Sequence, residues 1–197
     1  MSTIVAVKKN KQVCIAADSL TTFGDHRQTA ALDASSDKIL PLNDSYIGIV
    51  GSAAHHLVIE SAFKEIKWVN LKGRGEVFES FRKLHPILKE AYFLNPKDEE
   101  DDAYESSHID ALIINSAGIF GVYALREVFE YSSYWAIGSG AEYALGAMHA
   151  LYDHVDDAEI IARAAVRASA EFNTGTALPM TCYRVALSAE TPKTIQV

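Results

Sequence analysis

Several features that mark whole classes of protein are scarce or absent in this sequence. Its 197 residues include two cysteines, Cys14 and Cys182, which are too few for a disulfide-stabilised fold. Each lies in an apolar, strand-like run, so we expect two buried thiols instead of a disulfide or a metal pair. The net charge of -8 argues against a surface for nucleic acid or anionic membranes. No apolar run is long enough to span a bilayer.

Common nucleotide-binding and hydrolase motifs are missing as well. The sequence has no G-x-x-x-x-G-K-S/T loop, so we expect no ATPase activity. The run Gly138-Ser139-Gly140 lacks the further glycine of a dinucleotide-binding turn, and no nucleophile elbow is present. The start of the chain has neither the basic region nor the apolar core of a signal peptide, which predicts a cytoplasmic protein.

Residues 97–107 are strongly acidic, which raises the question of a cation site. Their carboxylates are consecutive and lack the alternating ligands and the turn glycine of a calcium loop. We interpret the segment as a solvated loop and expect neither a metal nor a cofactor.

What the sequence does contain suits one globular domain. Its hydrophobic content of 49% allows a sizeable core, and we find no internal boundary or repeat in residues 1–197. Hydrophobic periodicity predicts strands, two helices, strands, two helices and a closing strand. The strands are predicted over residues 3–7, 13–17, 38–42, 46–50, 109–115, 119–125, 128–131, 134–137 and 180–187. The helices are predicted over residues 53–69, 76–93, 141–152 and 157–172.

Two further local features accompany these elements. Pro86 lies inside the second predicted helix and predicts a kink or a break in it. Residues 19–37 are predicted to form a polar loop.

The first two strands are almost continuously apolar, which indicates a sheet buried on both faces. Two helix pairs would then cover the outer faces of two stacked sheets. The predicted fold class is α+β, a four-layer αββα sandwich.

The first candidate for chemistry is Ser2. Removal of Met1 would leave a hydroxyl and a free α-amine on one residue. An α-amine titrates at about 7.7–8.0, so it could serve as the base for its own hydroxyl. Without further evidence, the simpler interpretation is that Ser2 is merely the second residue of a cytosolic protein and has no catalytic role.

Three more polar residues fall at strand ends, namely Asp18, Lys38 and Ser139. A lysine near Ser2 would stabilise the deprotonated nucleophile and keep the α-amine neutral. Asp37 is adjacent to Lys38, but successive strand residues face opposite sides. Asp18 is therefore the predicted partner of the lysine. The alternative for each residue is an ordinary surface group at a strand end.

Considered together, these segments resemble the proteasome β-subunit family of N-terminal-nucleophile hydrolases. The resemblance covers nearly the whole chain, is close to bacterial HslV and is closer still to the small bacterial proteasome homologues called BPH. The matching segments, in order, are residues 2–7, Asp18, residues 38–42 beginning with Lys38, Gly51, residues 136–140 and residues 171–175.

The resemblance implies a role for each of these positions. Ser2 is the nucleophile that attacks a peptide bond, Lys38 and Asp18 assist it, and the N–H of Gly51 forms the oxyanion hole. The residues implied to orient the amino terminus are Ser139, Glu171 and Thr174. The residues implied to bind substrate are Thr21 and Thr22, whose edge pairs with the peptide backbone, and Ile49 and Ala53, which line an apolar first specificity pocket.

The sequence also departs from the family pattern. Ser2 stands where the family usually has threonine, and Glu171 and Thr174 replace an aspartate and a serine. The loop between Asp18 and Lys38 is a few residues longer than in HslV. The acidic segment at residues 97–107 has no HslV counterpart.

The resemblance further implies a homo-oligomer of two stacked rings, with seven subunits per ring favoured over the six of HslV. Its substrate would be a peptide or unfolded polypeptide, with a separate ATPase unfoldase as a candidate partner and with no nucleic acid or membrane. The alternatives are a non-catalytic ring scaffold and an amidase for a small molecule. Because the mechanism needs the α-amine of Ser2, we expect a methionine aminopeptidase to remove Met1. A chain that contains Met1 is then either an unprocessed form or one numbered from the gene product.

Overall fold

The structure is a computed structural model that describes residues 2–66, 68–97 and 100–188. Within these residues the chain forms eleven strands and four helices. The strands are β1 (Thr3–Lys9), β2 (Gln12–Asp18), β3 (Thr21–Phe23), β4 (His26–Gln28), β5 (Ile39–Leu42), β6 (Ser45–Val50), β7 (Asp110–Asn115), β8 (Gly118–Val122), β9 (Val128–Tyr131), β10 (Tyr134–Gly138) and β11 (Met180–Ala186). The helices are α1 (Ala53–Glu65), α2 (Arg74–Ala91), α3 (Ala141–Tyr152) and α4 (Ala158–Phe172).

Two antiparallel sheets form the centre of the molecule. One has the strand order β10-β1-β2-β11 and the other has the order β5-β6-β7-β8-β9. Apolar residues of both sheets share one buried core, to which Ile4 and Ile15 contribute from the first sheet and Leu112 and Ile114 from the second. The two sheets are therefore stacked face to face. Helices α1 and α2 pack on the outer face of one sheet and α3 and α4 on the other, which confirms the four-layer αββα prediction.

The two outer layers differ in the size of their core side chains. The layer under α1 and α2 contains Phe63, Phe81 and Leu84. The layer under α3 and α4 is built largely from alanine, with Ala144 and Ala162 fully buried. Small side chains allow a helix to lie close to its sheet, so α3 and α4 sit tightly against the strands that carry the amino terminus.

The sheets also approach each other closely at Gly48. A Cβ atom at this position would lie 2.6 Å from Cγ2 of Ile4 on the facing sheet. The glycine in β6 therefore allows β1 to lie directly against its neighbour, next to the start of the chain.

Three expectations about the elements are wrong in detail. The polar loop predicted over residues 19–37 contains the hairpin β3–β4, whose three-residue strands are too short to give a hydrophobic pattern. Helix α1 ends at Glu65 instead of residue 69. Of the kink or break expected at Pro86, the break is absent: helix α2 continues through this residue, and its apolar face, including Val77 and Leu84, is packed in the core.

Some expectations fall partly outside the described residues. The structure does not describe residues 98 and 99 of the acidic segment, and Met1 also lies outside the described residues. The single domain over residues 1–197 stays a prediction, since residues 189–197 are not described. None of the helices in the described part is both long and apolar enough to cross a membrane.

Candidate active site

A cleft of about 700 Å³ opens between the β3–β4 hairpin and the start of α1. Seven residues predicted from the sequence line it together: Ser2, Thr21, Thr22, Lys38, Ile49, Gly51 and Ala53. The fold therefore brings the start of β1, the edge of β3, the start of β5 and the end of β6 to one place.

Ser2 is held at the mouth of β1 by the neighbouring strand β10. Thr3 pairs with Gly138, and Oγ of Ser139 lies 3.4 Å from the carbonyl oxygen of Ser2. Gly138 has a φ of +95°, and a Cβ atom there would collide with the Ser2 carbonyl. The position of Ser2 therefore requires glycine at residue 138.

Lys38 and Asp18 form a buried ion pair beside Ser2. The Nζ atom of Lys38 donates to Oδ1 of Asp18 at 2.8 Å and to the carbonyl oxygen of Leu20 at 2.6 Å. The two side chains are 12% and 0% exposed. Burial lowers the pKa of Lys38, and the charge and hydrogen bond of Asp18 offset that effect only in part.

The Asp18 carboxylate is also held by three backbone N–H groups. Thr3 donates to Oδ1 at 2.8 Å, while Leu20 and Ala177 donate to Oδ2 at 3.0 and 3.2 Å. These donors belong to the start of β1, the turn between β2 and β3, and the loop before β11. The carboxylate thus fixes the position of the lysine relative to the segment that carries Ser2.

Asp37 has other partners, as strand parity predicts. Its carboxylate accepts hydrogen bonds from the Thr181 hydroxyl at 2.8 Å, the Tyr183 hydroxyl at 2.5 Å and the backbone N–H of Ile39 at 2.9 Å. Asp37 therefore anchors the start of β5 to β11, and the ion pair of Lys38 is with Asp18.

A second polar cluster, made of Ser139, Asn173 and Thr176, lies on the other side of Ser2. The Ser139 hydroxyl donates to Oδ1 of Asn173 at 3.0 Å, and Nδ2 of Asn173 donates to the Ser139 carbonyl at 2.9 Å. Thr176 donates to the same Oδ1 at 3.1 Å, and its hydroxyl lies 2.6 Å from that of Thr3. We call these three residues the neutral cluster.

The structure does not bring Glu171 and Thr174 into this cluster. Both are exposed, and neither side chain hydrogen-bonds to another described residue. The pattern of a polar residue followed three positions later by a hydroxyl occurs twice here, at Glu171 and Thr174 and again at Asn173 and Thr176. Helix α4 ends at Phe172 and turns the second pair towards Ser139. Sequence analysis chose the first pair and missed Asn173 and Thr176.

Gly51 adopts a backbone conformation with positive φ in the turn between β6 and α1. Its φ is +120°, a region that favours glycine, and it links the end of β6 to Ser52, the N-cap of α1. The Ser52 hydroxyl accepts from the N–H of Ala54 at 3.3 Å. The first turn of α1 therefore opens onto the cleft, and a helix amino terminus stabilises negative charge.

The rim of the cleft adds exposed apolar side chains that the sequence did not single out. Phe23 and Leu57 line it and are 55% and 69% exposed, next to the buried Ile49. Within the described residues, no three metal-ligating side chains come together as a cation site.

Comparisons with known proteins give consistent results. No family model matches the chain. The solved structure of Thiobacillus denitrificans BPH matches with a TM-score of 0.90 and 40% sequence identity, over 95% of this chain and 100% of that one. The same protein in complex with epoxomicin matches with a TM-score of 0.89, 40% identity and the same coverage. The ATP-dependent protease subunit HslV of Desulfovibrio desulfuricans is 32% identical over 178 residues, covering 86% of this chain and 89% of that protein.

Proposed function

Because the chain belongs to the proteasome β-subunit family, in its HslV-like branch, we propose that it is a self-compartmentalising peptidase whose nucleophile is Ser2. The observation that carries the proposal is the shared cleft of Ser2 and Lys38, with the lysine held by the buried Asp18. A hydroxyl beside a partly desolvated ammonium is suited to nucleophilic attack.

The first step is the attack of the Ser2 hydroxyl on a peptide carbonyl. The α-amine of Ser2, freed by removal of Met1, accepts the hydroxyl proton through a water molecule. The Lys38 ammonium stabilises the developing alkoxide and keeps the α-amine neutral. Asp18 holds the ammonium in place through its 2.8 Å contact.

The tetrahedral intermediate then places negative charge on the former carbonyl oxygen. The N–H of Gly51 donates to this oxygen, an interaction worth roughly 2.7–4 kcal/mol in other hydrolases, and the first turn of α1 adds its dipole. Collapse of the intermediate releases the amine product and leaves an ester on Ser2. Water hydrolyses the ester and regenerates the hydroxyl.

The neutral cluster orients the amino terminus. Ser139 contacts the carbonyl of Ser2, and Asn173 holds Ser139 through both its hydroxyl and its carbonyl. We assign this role to Asn173 and Thr176 in place of Glu171 and Thr174, because the hydrogen bonds to Ser139 and Thr3 come from the former pair.

The substrate is an extended segment of polypeptide. In line with the family, a substrate strand pairs its backbone with β3 at Thr21 and Thr22. Ile49, Ala53 and Leu57 give the first specificity pocket an apolar character and favour apolar side chains.

The active form is a homo-oligomeric double ring with the clefts inside a chamber, in line with the family. Seven subunits per ring are favoured, six being the alternative, and an ATPase unfoldase supplies unfolded chains. The proposed location is the cytoplasm. Native mass spectrometry that finds only monomers or dimers would contradict the assembly.

The test of the proposal uses epoxomicin, with which the BPH of Thiobacillus denitrificans forms a complex. Preparations whose intact mass shows that Met1 is absent should gain one inhibitor mass per chain and lose peptide hydrolysis. The Ser2→Ala variant should gain none, whereas Ser35→Ala, a matched change of an exposed serine that lines the same cleft, should react as the unmodified chain does.

Two outcomes would overturn the proposal. A ring that neither reacts with the inhibitor nor cleaves peptides is a scaffold, and a monomer that cleaves small amides but not peptides is an amidase. Retention of Met1 in fully active preparations would show that the Ser2 amine is not the base.

A further inference from the structure

The two cysteines, distant in sequence, meet across neighbouring strands. Cys14 lies on β2 opposite Arg184, and Cys182 lies on β11 opposite Ala16. The cysteines are thus diagonal neighbours on one face of the sheet, since residues two apart on a strand share a face. Their sulfur atoms are 3.0 Å apart.

The two thiols have different surroundings. Cys14 is fully buried, whereas Cys182 is partly exposed at the edge of the sheet. Close to them, Glu159 of α4 accepts a hydrogen bond from Arg163 at 2.6 Å and forms an ion pair with Arg184 at 3.0 Å. Two guanidinium groups therefore lie close to the accessible thiol.

These surroundings favour ionisation of one thiol over the other. The hydrogen bond from Cys14 lowers the pKa of Cys182, and Arg163 adds to that effect. The contact with Cys182 and burial raise the pKa of Cys14. Cys182 therefore ionises more readily than Cys14, and it is the thiol that solvent reaches.

We propose that Cys14 and Cys182 form a redox modification site, in which a hydroperoxide converts the pair into a reversible disulfide between β2 and β11. The site is separate from the cleft, and the proposal does not rest on the peptidase function.

The chemistry needs no group beyond the two thiols and the peroxide. The Cys182 thiolate attacks one oxygen of hydrogen peroxide, the O–O bond breaks, and a sulfenic acid and hydroxide form. The Cys14 sulfur then attacks the Cys182 sulfur, the S–O bond breaks, and the leaving hydroxide takes the Cys14 proton. Two thiols are oxidised by two electrons, and one peroxide becomes two waters.

The bond would change the edge of the sheet. β11 is the outer strand of its sheet, and the new link would close a loop between residues 168 positions apart. A cross-link of this length restricts the unfolded chain and so favours the folded one. Oxidation should therefore raise the melting temperature by several degrees.

The test oxidises the reduced full-length chain with a small excess of hydrogen peroxide, followed by unfolding and alkylation with iodoacetamide. The expected product has lost two hydrogen atoms, takes up no alkyl group and contains one peptide linking Cys14 to Cys182. Dithiothreitol should restore two alkylatable thiols and the original melting temperature.

Single variants separate the steps. Cys14→Ser keeps a hydrogen-bond donor next to Cys182, and in this variant Cys182 should stop at a sulfenic acid that dimedone traps. Cys182→Ser should leave Cys14 reduced. The proposal is overturned if both wild-type thiols remain alkylatable, if Cys182 goes on to the sulfinic acid while Cys14 stays free, or if the disulfide joins two chains.

Discussion

Two polar clusters flank Ser2, and one is made of charged side chains whereas the other is made of neutral ones. The Asp18–Lys38 pair, which we call the charged cluster, is nearly inaccessible to solvent, with side chains that are 0% and 12% exposed. The neutral cluster of Ser139, Asn173 and Thr176 carries no formal charge and includes the exposed Ser139. One side of the nucleophile therefore depends on a desolvated charge and the other on directional hydrogen bonds between neutral groups.

The difference determines how each cluster responds to change. Removing one member of a buried ion pair leaves the other uncompensated, which typically costs about 3–5 kcal/mol. Removing one partner of a neutral hydrogen bond costs on the order of 1 kcal/mol where water replaces it, as at the exposed Ser139, and about 1–3 kcal/mol where the other partner stays buried, as at Thr176. Changes in the charged cluster should therefore remove most of the peptide hydrolysis. Changes in the neutral cluster should alter the rate of hydrolysis and its pH dependence by smaller amounts.

The largest effect is expected from Lys38→Ala. It removes the ammonium that stabilises the Ser2 alkoxide, and peptide hydrolysis should fall by roughly 10²–10³-fold, the usual range when one donor to developing negative charge is lost. The ring should persist in native mass spectrometry, because Asp18 keeps its three backbone donors. The exposed Lys64→Ala is the control. A variant with more than a tenth of normal activity would remove Lys38 from the mechanism.

Asp18→Asn should lower both activity and stability. It leaves the Lys38 ammonium buried without its counter-charge, and denaturant titration should show a loss of about 3–5 kcal/mol in the free energy of unfolding. Asp33→Asn changes a partly exposed carboxylate in the same cleft and should leave the unfolding free energy unchanged. Equal stability of the two variants would mean that the ion pair is not a structural requirement.

In the unmodified protein, the charged cluster also predicts a loss of activity at alkaline pH. Burial lowers the pKa of Lys38, so the ammonium is lost at a lower pH than in an exposed lysine. Between the folded and unfolded pKa values the unfolded chain binds more protons, so this group's contribution to stability rises with pH. Peptide hydrolysis should therefore decline in that window without any loss of stability from Lys38. An alkaline decline that follows unfolding would contradict this origin.

The sequence predicts the charged cluster far better than the neutral one. Asp18 ends one strand and Lys38 directly precedes another, and the alternation of side chains along a strand favours Asp18 over Asp37 as the partner. The resemblance then implied the role of this pair beside Ser2. The choice between Asn173 and Glu171 depends on where α4 ends. Helix ends depend on tertiary packing and are poorly marked in sequence. The β3–β4 hairpin was missed because strands of three residues are too short to show the alternation of apolar and polar side chains.

The neutral cluster can be converted into a charged one by Asn173→Asp. A carboxylate beside Ser139 would favour the protonated α-amine of Ser2 and raise its pKa. The acidic limb of the pH–rate profile should move up by about one unit. Asn173→Ala should lower kcat without moving that limb. Identical pH profiles for the two variants would show that residue 173 does not influence the amino terminus.

The smallest effects are expected from Glu171→Gln and Thr174→Ala. Both side chains are exposed and lack hydrogen bonds to the other described residues, so each change should alter kcat/KM by less than about twofold, within the range of ordinary surface substitutions. Thr176→Ala is the matched comparison for Thr174→Ala, because it removes a hydroxyl that contacts both Asn173 and Thr3. It should lower kcat by several-fold while KM changes little. If Glu171→Gln instead reduced kcat tenfold and shifted the acidic limb, the amino terminus would be oriented by a charge after all. The contrast between the charged and neutral sides of Ser2 would then disappear.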